Sequence, residues 1–87
     1  MKVSTIDNGN VEPEKYLTQK SGNEPGIYVD KCGNYWIVDR QGIVAGYFSP
    51  AKTKEINGFA QMEDDFNDFK YWQIKRLPAN TSLVLSN

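Results

Sequence analysis

Hydrophobic patterning is clearest in the middle of the chain. Gly26-Ile27-Tyr28-Val29-Asp30, Tyr35-Trp36-Ile37-Val38-Asp39 and Ile43-Val44-Ala45-Gly46-Tyr47-Phe48 are short runs dominated by β-branched and aromatic residues. Such runs fit a pleated, half-buried surface and predict three strands. The two connections are spelled alike: Val29-Asp30-Lys31-Cys32-Gly33 and Val38-Asp39-Arg40-Gln41-Gly42. Asp suits the first position of a type I turn, because its carboxylate accepts backbone N–H groups further along. Gly suits the left-handed position that closes the turn. The reading is a three-stranded meander over about residues 26–48. Two copies of a turn do not make a repeat architecture.

The flanks are less regular. Val3 and Ile6 alternate weakly and predict a short edge strand. Pro13 followed by Glu14, Lys15, Tyr16 and Leu17 predicts a helical turn or two, stopped by Gly22. Residues 1–24 are polar, and partial mobility of this segment is one expectation. Ser49-Pro50 looks like an N-cap followed by Pro at the first helical position, predicting a helix through Ala51 to Asn57 ended by Gly58, with a loop as the alternative. Met62, Phe66 and Phe69 fall at i, i+4 and i+7 and predict a helix over 61–70, with Glu63, Asp64 and Asp65 in its first turn. Tyr71 to Leu77 alternates, placing Trp72, Ile74 and Arg76 on one face, and predicts a strand closed by Pro78. Residues 82–86 predict a last short strand. The expected fold is α+β: an antiparallel sheet built on the meander, one or two short helices, and one or two C-terminal strands. A small half-open β-barrel is the alternative.

Eighty-seven residues with 39% hydrophobic and 24% charged content fit one small globular domain spanning 1–87. Histidine is absent and Cys32 is the single cysteine. Triads built on imidazole, zinc fingers and haem–His ligation are therefore excluded, and no intramolecular disulfide can form. No signal-type or membrane-length apolar run occurs, so a cytoplasmic protein without membrane contact is expected. No cofactor or metal motif is found: the run Glu63-Asp64-Asp65 with Asp68 lacks the alternation and Gly of a calcium loop. Cys32 beside Lys31 is expected to be an exposed turn thiol.

The net charge is −1, but it is unevenly spread: residues 59–69 carry four acids and no base, and residues 70–87 carry three bases and no acid. Aromatic residues make up 13% of the chain, several of them in adjacent pairs. Neighbours on a strand point to opposite faces, so one member of each pair should leave the core and offer a binding surface.

Together these features point to a small non-enzymatic protein that binds a larger protein partner as an inhibitor or modulator. Size alone also fits a phage or mobile-element protein. The candidate contact residues are Tyr35, Trp36, Tyr47, Asp64, Asp65, Asp68, Tyr71, Trp72, Lys75 and Arg76. The alternative is a nucleic-acid-binding module using the aromatic and basic residues of segment 70–76. A third reading, carboxylate chemistry at Asp30 and Asp39, competes with the turn role that both residues already fill. A strand edge at 43–48 or 71–77 would also suit pairing with a second copy.

Overall fold

The computed structural model describes residues 2–7, 15–16, 24–50, 52–78 and 80–86, and at residues 2, 7, 15 and 16 it describes the backbone only. Two antiparallel sheets and two short helices make a small α+β fold. Strands β1 (Lys2–Asp7) and β7 (Thr81–Ser86) form a two-stranded ribbon, with Val3 opposite Leu85 and Thr5 opposite Leu83. The main sheet runs in the order β2-β6-β3-β4-β5, from β2 (Lys15–Tyr16) and β6 (Lys75–Arg76) to β3 (Gly26–Val29), β4 (Tyr35–Val38) and β5 (Val44–Phe48). It is open, not a barrel.

The meander forms as its spelling predicts, and its two turns share one hydrogen-bond scheme. Asp30 Oδ1 accepts from the backbone N–H groups of Cys32 (2.8 Å) and Asn34 (3.0 Å). Asp39 Oδ1 does the same for Gln41 (2.8 Å) and Ile43 (3.0 Å). Gly33 and Gly42 close the two turns at φ 80° and 79°, a region open to glycine at little steric cost.

In register, Tyr28 faces Trp36 and Trp36 faces Tyr47, so the three lie on one side of the sheet. Helix α1 (Phe59–Asn67) covers that side with Met62 and Phe66, and the one-turn helix α2 (Phe69–Trp72) adds Phe69. Trp36 is the centre of this core: its ring lies 4.6 Å from Tyr47 and 5.8 Å from Phe66, and Tyr28 meets Phe66 edge-on at 5.2 Å. Aromatic pairs at these spacings add about 0.5–1.5 kcal/mol each beyond area burial. Ile27, Val29, Tyr35, Ile37 and Phe48 occupy the opposite face and are half-buried.

Several expectations change. The helix over 51–57 is absent: residues 52–57 run as a loop, and Ala51 lies outside the described residues. Lys52 sits at φ 52°, which interrupts a right-handed helix, and the Lys54 carbonyl accepts from the Tyr47 hydroxyl (3.3 Å). Gly58 precedes α1 instead of ending a helix, and Gln61 Oε1 reaches back to the Asn57 N–H (2.9 Å). The helix thus starts at Phe59, which moves Glu63, Asp64 and Asp65 out of its first turn.

The strand over 71–77 shrinks to Lys75–Arg76, because Tyr71 and Trp72 belong to α2. That strand is paired on both sides, by β2 and β3, so it offers no free edge, whereas β5 ends the sheet. The turn of helix expected after Pro13 is strand where it is described: Lys15 and Tyr16 pair with Arg76 and Lys75. So short a helix cannot nucleate alone, while the edge of β6 supplies backbone partners. The rest of the 8–23 segment lies outside the described residues.

Candidate interaction surface

Tyr71 and Trp72 are neighbours on α2, and consecutive helical residues point about 100° apart. Trp72 therefore leans on the core while Tyr71 stands out from it, 59% exposed. The helix is stopped by a Schellman arrangement: the Gln73 N–H bonds to the Lys70 carbonyl (3.3 Å) and the Ile74 N–H to the Phe69 carbonyl (3.0 Å). Gln73 takes the left-handed position at φ 51°, ψ 50°. This stop fixes Tyr71 and Trp72 edge to face, with centroids 4.9 Å apart at 86°.

Two lysines from distant parts of the chain cap this pair. Lys31, in the exposed first turn of the meander, places Nζ 4.0 Å from the Tyr71 ring centre and 5.8 Å from that of Trp72. Its backbone N–H donates to the Trp72 carbonyl (2.8 Å), tying the turn to α2. Lys54, in the 52–57 loop, places Nζ 4.3 Å from the Trp72 ring centre and 2.9 Å from Asp65 Oδ2 on α1. A cation over an aromatic face at a partly exposed site contributes about 0.5–1 kcal/mol.

Beneath the surface lies a buried polar cluster. Asp30 is 6% exposed and Asn34 is 0% exposed. Asp30 Oδ2 accepts from Asn34 Nδ2 (3.1 Å) and Trp36 Nε1 (3.1 Å). With the two backbone donors on Oδ1, the carboxylate receives four hydrogen bonds, so its burial is compensated without a cation. Asn34 Oδ1 in turn accepts from the Thr53 hydroxyl (2.9 Å), which lies one residue before Lys54.

The structure sorts the candidate residues. Tyr71, Trp72 and Asp65 come together, joined by Lys31 and Lys54. Asp64 and Asp68 are exposed along the helical unit. Trp36 is fully buried and does not serve as a surface anchor. Its indole N–H is spent on Asp30, and its ring is central to the core. Tyr47 is half-buried against Trp36. Tyr35 lies across the sheet from Trp36, opposite Phe48.

Lys75 and Arg76 leave the aromatic pair, because the chain reverses at Gln73. Arg76 Nη2 donates to the Pro25 carbonyl (2.9 Å), and Nε lies 3.7 Å from Glu24. Sequence reasoning missed Lys31 and Lys54 as partners of the pair, since nothing local links positions 31, 54 and 71. It also passed over Phe59, at 72% the most exposed large apolar residue among those described. Among the described residues no ring or cation packs on Phe59, in contrast to Tyr71.

Burial raises the Tyr28 hydroxyl above the usual tyrosine range. Glu24 pushes the same way, and Arg76 opposes it. Burial likewise raises Tyr47, against a hydrogen bond from Ser49. Cys32 is an exposed free thiol. Among the described residues no helix is long and apolar enough to cross a membrane, and no group of three or more His, Cys, Asp or Glu side chains is placed to hold a metal ion. The chain matches no protein-family model, no curated protein and no solved structure.

Proposed function

We propose that this protein is a small non-enzymatic binding protein, an inhibitor or modulator that acts on a larger protein through the surface centred on Tyr71. The observation that carries the reading is the exposed Tyr71 ring held ready by Trp72 and Lys31. Binding hot spots favour Tyr and Trp, and a ring already fixed in place loses little freedom on association. Asp64 and Asp68 are exposed on the preceding helical residues and would favour basic residues on the partner.

The nucleic-acid reading is weaker. Bases stack on open aromatic faces, but Lys31 lies over Tyr71 and Lys54 lies over Trp72. Lys54 is neutralised by Asp65, and Arg76 is engaged with Pro25 and Glu24.

Affinity capture from the source organism's lysate, with nuclease and at about 50 and 200 mM salt, separates the two readings, because phosphate contacts weaken steeply over that range. A discrete protein retained by the wild type and lost with Tyr71→Ala is expected. Truncating a hot-spot aromatic costs about 2 kcal/mol or more, roughly thirty-fold in affinity. A haul that disappears with nuclease, or one that Tyr71→Ala leaves unchanged, overturns the proposal.

A further inference from the structure

We infer that the buried Asp30–Asn34 pair is the positioning element of the Tyr71 surface, setting both lysines that cap the aromatic pair. Its significance for binding rests on the function proposed above, but its geometry does not.

The two lysines depend on the pair by different routes. Lys31 follows Asp30 directly, inside the turn that the Asp30 carboxylate closes. Lys54 depends on a relay. Asp30 Oδ2 accepts from Asn34 Nδ2, which turns the amide oxygen of Asn34 away from the carboxylate and toward Thr53. A carboxylate accepts only, so the opposite amide orientation would set two acceptors against each other and leave the Thr53 hydroxyl facing an N–H.

The Thr53 hydroxyl therefore makes its short bond to Asn34 Oδ1, with Ser49 Oγ a more distant neighbour at 3.5 Å, and the Thr53 N–H is held by the same Ser49 Oγ (3.0 Å). Lys54 follows immediately, and its carbonyl is fixed by Tyr47. Loop 52–57 has no helical or strand bonding of its own. These side-chain bonds hold the start of the loop that brings Lys54 to Trp72, while Gln61 holds its far end and Asp65 pairs with the Lys54 ammonium. A fully satisfied buried network of this kind specifies one arrangement of the groups around it.

The test is Thr53→Val, which keeps the branched shape and removes the hydroxyl, with Thr53→Ser as the conservative control. Thr53 is exposed, so neither change opens the core. The readout is the proton NMR spectrum of the free protein. Methylene protons near the ammonium of Lys54 lie over the indole face and are shifted upfield by the ring, and those of Lys31 are shifted by Tyr71.

In Thr53→Val the Lys54 shift is expected to collapse toward that of an unstructured lysine, while the Lys31 shift persists. Thr53→Ser should restore the Lys54 shift. A Lys54 shift unchanged in Thr53→Val overturns the inference. Collapse of both lysine shifts together also overturns it, because that reports general loosening and not the relay. No partner is needed for the measurement, so failure of Tyr71→Ala to alter capture would remove the proposed function and leave this result standing.

Discussion

Asp30 and Asp39 occupy equivalent places in two similarly spelled turns, yet they carry different loads. Each Oδ1 accepts two backbone N–H groups. Only Asp30 also takes side-chain donors on Oδ2, from Asn34 and Trp36, and only Asp30 is buried. An amide has a single oxygen. In Asp30→Asn, whichever way the amide turns, its NH₂ faces two donors that lose their acceptor. Each buried unsatisfied group costs about 1–3 kcal/mol, so a loss of roughly 2–6 kcal/mol is expected. In Asp39→Asn the amide oxygen can stay at Oδ1 and the cost should be below about 1 kcal/mol. Urea unfolding of the two variants measures this. Equal losses would show that the Oδ2 contacts at Asp30 contribute nothing. The same arithmetic explains why Asp30 is not free for carboxylate chemistry: its four acceptor positions are used within the fold.

The helical unit is where sequence pattern and structure diverge most, and Gln73 is the reason. Trp72, Ile74 and Arg76 alternate as a strand would. Trp72 also continues the helical stripe of Met62, Phe66 and Phe69 at the next interval, so both templates fit the same residue. The Schellman closure decides for helix, and it does so with Gln in a left-handed position that usually takes Gly. Gln73→Gly should therefore stabilise the protein by about 0.5–1 kcal/mol, the strain relieved being partly offset by the greater freedom of the unfolded chain. No gain in the thermal midpoint would mean that Gln73 is not strained there.

The meander was legible because turn chemistry is local: Asp and Gly spell the turn within five residues. The stripe on α1 was legible for the same reason. The path of 52–57 was not, because its partners lie on both sides of it in the chain: Asn34 and Tyr47 before it, Gln61 and Asp65 after it. The binding surface was half legible, Tyr71 and Trp72 from composition, but its lysines only from tertiary structure.

At the scale of the whole molecule, the core that carries this surface has a predictable weakness at high pH. Tyr28 bridges sheet and helix: its ring meets Phe66, and its hydroxyl donates to the Glu24 carbonyl (2.7 Å). Burial, helped by the Glu24 charge, makes the phenolate form costly in the native state, so Tyr28 ionises above the usual tyrosine value of 10.0. Below about pH 10 both the folded and the unfolded chain keep this proton, and the contribution of Tyr28 to stability is intact. Above it, the unfolded chain releases the proton while the native chain retains it. The native state then binds more protons, and stability falls as pH rises toward the native value, by up to about 1.4 kcal/mol per pH unit for this group. Tyr47 acts in the same direction. Thermal midpoints measured between about pH 8 and 11 should decline for the wild type, less steeply for Tyr28→Phe, and least for the variant with Tyr47→Phe added. Phe keeps the ring in the core and removes only the titrating hydroxyl. Parallel declines for wild type and both variants would show that the buried tyrosines are not the source of the alkaline weakness.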